Sequence, residues 1–144
     1  MQTFIGVLGM EPLHMISPAS DDKRRIEQFP NELVDYLSSM IDAQLTPRVI
    51  VNRDSLRNAM IVSMAIGGST NVILHAPEIA RAAGFSNFSQ EIMSPEEFNH
   101  LSQYVVPVLI DARPFGNYSM VDIDEKGGVQ VIVKELLDLS LIHI

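Results

Sequence analysis

Met60-Ile61-Val62-Ser63-Met64-Ala65-Ile66-Gly67-Gly68-Ser69-Thr70-Asn71-Val72-Ile73-Leu74-His75 is the stretch that decides the fold. Its first half closes a helix that Asp54 can cap and that ends at Gly67-Gly68. Leu56, Ala59, Met60, Ile61, Val62, Met64, Ala65 and Ile66 leave that helix apolar on nearly every side, the pattern of a helix buried in a larger body. A 144-residue chain is expected to leave part of it bare and to self-associate through it. Beyond the glycines, Ser69 or Thr70 caps a second helix, with Val72, Ile73, Ala76, Ile79, Ala80 and Ala83 on one face and Gly84 as a left-handed stop. Pro77 lies inside this pattern and predicts a kink or division near Ala76.

Outward from this pair, helices dominate. Ser20 before Asp21-Asp22, with Lys23, Arg24 and Arg25 following, reads as a helix start that Pro30 interrupts. From Asn31 a further helix sets Leu33, Val34, Leu37, Met40 and Ile41 on one apolar face, which requires a partner surface. Thr46-Pro47 is a turn, and Arg48 to Val51 a short extended or irregular link. Ser94-Pro95-Glu96-Glu97 combines an N-cap, a proline at the first helical position and a glutamate three residues on. Val105 to Ile110 is β-branched and apolar, which predicts a short buried strand over about 105–111. Pro114 to Tyr118 is a loop, and Gly127-Gly128 opens a last helix over Val129 to Leu137.

Composition sets the outer bounds. One domain's length buries about 70% of its unfolded surface, and 47% hydrophobic with 19% charged residues suits a folded core. Ten Lys and Arg stand against eighteen Asp and Glu; the resulting net charge of −8 disfavours nucleic acid and anionic lipid as partners. No stretch reaches the length of a membrane span. Met1-Gln2-Thr3-Phe4 lacks the basic start of a secretory signal, so a cytoplasmic setting is expected. The cysteine count is zero, which removes thiolate metal sites and cysteine nucleophiles from this chain.

The candidate site is the glycine turn. Gly67 and Gly68 free the backbone to reverse, and Ser69, Thr70 and Asn71 then gather small polar side chains with the orphan amides of a helix N-terminus. That arrangement suits an anion, and it equally suits a capped helix–helix turn with no ligand. His75 falls one turn beyond Asn71 on the same side, as a lining or supporting residue. Glu78 and Arg81 read as a solvated ion pair, and His14 and His100 sit in no metal-ligand spacing. HExxH, P-loop, GxGxxG and GxSxG patterns do not occur.

Taken in order, Ser55-Leu56-Arg57-Asn58-Ala59, Gly67 to Asn71 with Leu74-His75, Ala80 to Gly84, Arg113 to Met120, Gly127-Gly128-Val129 and Lys134 to Leu137 form a series with a known counterpart. The chain resembles the dihydroxy-acid dehydratase and phosphogluconate dehydratase family over nearly its whole length. The resemblance implies a predominantly helical piece of a larger α/β sandwich domain, whose parent is a hydro-lyase turning 2,3-dihydroxy acids or sugar acids into 2-keto acids. It further implies an iron–sulfur cluster acting as a Lewis acid and Mg²⁺ orienting the substrate, both held by segments outside this chain. The cluster cysteines, the carbamylated lysine and most acidic Mg²⁺ ligands would precede Met1, and the serine base would follow in a second, β-barrel domain. A homodimeric or larger parent is implied, mitochondrial or plastid if eukaryotic. A sugar-acid dehydratase and a non-catalytic helical binding or scaffolding domain are the alternatives.

Two departures bear on subfamily: Leu74-His75-Ala76-Pro77 stands where the family has Leu-His-Leu, and Phe29-Pro30 breaks a region usually read as one helix. The resemblance assigns 1–138 to a partial N-terminal catalytic domain, with Met1 as an internal methionine taken as a start. Residues 139–144 look like an adapter-derived, non-native tail and are set outside the fold.

Overall fold

A computed structural model describes residues 1–114 and 116–143. Its helices are α1 (Gln2–Val7), α2 (Arg24–Glu27), α3 (Phe29–Asp42), α4 (Pro47–Ile50), α5 (Arg53–Ala65), α6 (Asn71–Ala83), α7 (Phe88–Glu91), α8 (Pro95–His100), α9 (Met120–Asp124) and α10 (Val129–Asp138). A 3₁₀ turn at Leu13–Met15 and a π-helical turn at Leu101–Val105 complete the set.

The predominantly helical expectation holds, and the strand over 105–111 does not. Among the described residues the β pairing is a single isolated bridge between Ala112 and Tyr118. The cause is local. Residues Leu109 and Ile110 donate their amides to the Ala65 carbonyl at the end of α5, at 2.8 and 3.3 Å, and Pro107 has no amide to offer. The segment therefore docks on a helix terminus instead of joining a ladder.

Helix α5 is the axis of the core. One cluster packs Ile61, Val62 and Ala65 against Ile123 and against Val129, Ile132 and Leu136 of α10. A second packs Leu56, Ala59 and Met60 against Phe4 and Leu8 of α1 and Val72, Ala76 and Ala80 of α6. The helix expected to lie partly bare is thus covered within the chain; Leu56, Ala59, Val62 and Ala65 are fully buried. The bare apolar face belongs to α3, where Val34, Leu37 and Ile41 face outward. Only Phe29 of α3 is buried.

Local signals resolve in detail. Asn52, not Asp54, caps α5: its side-chain oxygen accepts from the Asp54 and Ser55 amides at 2.9 and 3.0 Å, while Ser55 Oγ answers the Asn52 amide at 3.0 Å. Ser20 caps nothing; α2 begins after Lys23, with Asp22 accepting from the Arg24 amide at 2.8 Å. Pro30 opens α3 instead of ending its predecessor. The extended or irregular link expected over Arg48 to Val51 is instead the short helix α4, with Val51 just past its end. Pro77 neither divides nor ends α6, whose ladder loses one bond at the Ile73 carbonyl on a half-exposed turn that solvent can serve. Gly84 ends α6 at φ +113°, Ser94 caps α8 through the Glu97 amide at 3.1 Å, and α10 starts after Gly128, all as expected. Of the loop 114–118, Phe115 lies outside the described residues.

The segment after α10 takes part in the fold. Ser140 turns back at φ +57°, Ile142 is buried in the α5–α10 cluster, and Asn58 grips the His143 backbone. Its Nδ2 donates to the His143 carbonyl at 2.5 Å, and its Oδ1 accepts from the His143 amide at 3.3 Å.

Candidate active-site turn

Between α5 and α6 the chain reverses through a Schellman motif. The Gly67 amide donates to the Met64 carbonyl at 3.1 Å and the Gly68 amide to the Ser63 carbonyl at 2.8 Å. Gly67 takes φ +62°, in the left-handed region that a side chain resists. At Gly68 the constraint is space: a Cβ there would lie 2.8 Å from the Ser63 carbonyl oxygen. The two glycines therefore serve different needs, one conformational and one steric.

The turn delivers Ser69 to the start of α6. Ser69 Oγ accepts from the Asn71 amide at 3.2 Å, and the Val72 and Ile73 amides donate to the Ser69 and Thr70 carbonyls, each at 3.0 Å. Three amides counted as orphans in the sequence are thus bonded inside the turn. What the turn can offer a ligand is the hydroxyls and amides of Ser69 and Thr70.

Two clefts flank it. One, of about 280 Å³, is lined by Gly68, Ser69, Gln2, Thr3, Ser63, Arg113 and apolar neighbours. The other, of about 210 Å³, is lined by Gly67 to Thr70 with Met64, Phe98 and Ser102. Ser69 belongs to both and Thr70 to the second. Asn71 and His75 line neither and are exposed on the outer side of α6. The expected group of four is therefore split: two residues stand at the clefts and two face away. A larger cleft, of about 590 Å³, lies elsewhere, beside Tyr36, Asp54, Asn58 and His143. Size alone does not point to the turn.

Sequence reasoning missed Thr3 and Arg113. Thr3 is 5% exposed and borders the first cleft, and Arg113 brings it a positive charge. Nearby, Asp122 is held below the usual carboxylate range, chiefly by the Ser119 hydroxyl and amide, with the Arg113 charge adding to it. The available signal for Arg113 was its place at the head of the Arg113 to Met120 run. Thr3, far from the turn in sequence, carried none.

Comparison with known proteins decides the lineage. The family model described as dihydroxy-acid/6-phosphogluconate dehydratase N-terminal matches residues 1–144. The chain belongs to this family. It is 37% identical over 143 residues to a dihydroxy-acid dehydratase of Leifsonia xyli subsp. xyli, covering 99% of this chain and 24% of that protein. It is 38% identical over 136 residues to the dihydroxy-acid dehydratase of Acidothermus cellulolyticus, covering 94% and 23%. A Prochlorococcus marinus dihydroxy-acid dehydratase is 33% identical over 143 residues, covering 99% and 24%. The chain spans about a quarter of the length of the curated relatives it matches.

The donor set of this chain does not fit the iron–sulfur cluster and Mg²⁺ that the resemblance implies. There is no cysteine for an iron–sulfur cluster, and among the described residues no three His, Asp or Glu side chains converge to hold an ion. Among the described residues, no helix is long and apolar enough to cross a membrane.

Proposed function

We propose that residues 1–138 form part of the N-terminal catalytic domain of a hydro-lyase that dehydrates a 2,3-dihydroxy acid to a 2-keto acid. The observation that carries this reading is the family match over all 144 residues, with every curated relative cited above named a dihydroxy-acid dehydratase. Within such an enzyme this chain supplies a wall, not the reacting centre. Iron–sulfur cluster and Mg²⁺ belong to the rest of the polypeptide. Ser69 and Thr70 present hydroxyls where the chain reverses, Arg113 adds a positive charge to the Ser69 cleft, and the substrate's carboxylate is the complementary group. Asn71 and His75 line or support the site from the other side of α6, once further segments of the enzyme cover that side. The parent is a homodimer or larger, works on a small acid in the cytoplasm, and serves branched-chain amino-acid biosynthesis.

The test is to extend the reading frame in both directions, express the whole protein and follow 2-keto acid formation. Conversion of 2,3-dihydroxyisovalerate in preference to aldonates and 6-phosphogluconate supports the proposal. Preference for a sugar acid moves the chain to the family's other branch, and no keto acid from any of them refutes the reading.

A further inference from the structure

Helix α3 is amphipathic, and its apolar face points the wrong way for a core helix. Val34, Leu37 and Ile41 are 63%, 54% and 75% exposed. The opposite face holds the helix to the body through buried Phe29, through Tyr36, whose hydroxyl donates to the Gly9 carbonyl at 3.1 Å, and through Glu32, 2.8 Å from His14 Nε2. These contacts fix the rotation of α3 and keep the stripe outward.

At 100° per residue, Asp35 and Asp42 lie about 20° apart on one flank of α3, about 80–100° round the helix from Val34. Phe29–Asp42 contains three acidic residues and no cation. A second copy packed antiparallel on this face would place both aspartate flanks on the same side of the pair, and each chain carries −8. Charge thus favours a cover of the opposite sign. About three quarters of the relatives' length lies outside the matched residues, and supplies chain enough to provide it.

We infer that the Val34–Leu37–Ile41 face is a docking surface for an apolar helix or strand face edged with Lys or Arg, contributed by the longer polypeptide. This rests on the reading that the chain is a quarter of a larger enzyme, though not on which acid that enzyme dehydrates.

Two synthetic helical peptides with one apolar stripe, one edged with Lys and the other with Glu, test the chemistry on the 144-residue chain. The Lys-edged peptide is expected to bind at least about tenfold more tightly, and to lose about tenfold on Ile41→Asp, a change at an exposed position that leaves the core intact. Equal binding of both peptides, no binding, or a concentration-dependent dimer abolished by Ile41→Asp would overturn the inference. The source is tested with Ile41→Cys. Its thiol should react rapidly with maleimide in the 144-residue chain and be shielded in the whole protein, read by mass spectrometry at that residue. Equal reactivity in both would also overturn it. Shielding without dehydratase activity, or activity with an open thiol, separates failure of the functional proposal from failure of this one.

Discussion

Arg57 on α5 holds the segment around α8 through two contacts made by one guanidinium: Nη1 donates to the Ile92 carbonyl at 2.7 Å, and Nη2 to Glu97 Oε1 at 2.6 Å. Thirty-five and forty residues of chain separate the partners. Glu97 sits three residues after the Ser94 cap, the position from which a glutamate closes a capping box, yet its carboxylate turns to Arg57. That pairing, more than any other cause, holds Glu97 below the usual carboxylate range.

Arg57→Met, which keeps the aliphatic stem, is expected to lower stability by about 1 kcal/mol, since charge-assisted bonds are lost but the pair is partly open to solvent. Urea unfolding of the two proteins measures it. An unchanged midpoint would show that the α5–α8 contact stands on packing alone.

Acid sensitivity follows from the same kind of pairing. Asp22 is lowered to about 2 by the Arg24 side chain and amide, and Glu91, Glu97 and Asp122 are also lowered. Each carboxylate binds its proton less readily folded than unfolded, so its contribution is complete above about pH 4 and is lost as the pH falls toward the folded value. The melting temperature is expected to be flat from pH 7 to about 5 and to fall below about 4. Asp22→Asn should make that fall shallower.

Gly67 and Gly68 are expected to fail differently. Gly67→Ala places a side chain in the left-handed region and costs about 1–2 kcal/mol. Gly68→Ala drives a Cβ to 2.8 Å from the Ser63 carbonyl oxygen, so backbone must move, at about 1–3 kcal/mol with loss of the Gly68–Ser63 bond. Native-state hydrogen exchange at the Gly68 amide distinguishes them: protection falls in Gly68→Ala more than in Gly67→Ala.

The 144-residue chain, given iron, sulfide and Mg²⁺, is expected to form no 2-keto acid from 2,3-dihydroxyisovalerate, because it contains no cysteine and no converging carboxylate set among the described residues. Product above a protein-free control would contradict this.

Much of the fold was legible because its signals are local. Gly84, the Ser94 cap and the Gly127-Gly128 start each act within a few residues, and the α5 and α6 periodicities follow from side chains three and four apart. Asn52 and Asp54 are both capping residue types, and only the reciprocal Ser55 bond chooses between them. The strand expected near 105–111 failed on a distant cause, capture of the Leu109 and Ile110 amides by Ala65. At the site, glycine spacing revealed the turn. It could not reveal that Ser69 faces two clefts while Asn71 and His75 face outward, since that depends on α1 and the 112–114 segment closing over one side.

The most direct measurement is steady-state turnover of the whole protein on 2,3-dihydroxyisovalerate, wild type against Asn71→Ala, with cluster content measured in both. The account expects 2-keto acid from the wild type and a turnover at least about tenfold lower in the variant, equivalent to about 1.4 kcal/mol of transition-state stabilisation, with the cluster retained. Wild-type kinetics in Asn71→Ala, with only its thermal stability reduced, would contradict the account, leaving Asn71 a residue of the helix start and no part of the active site.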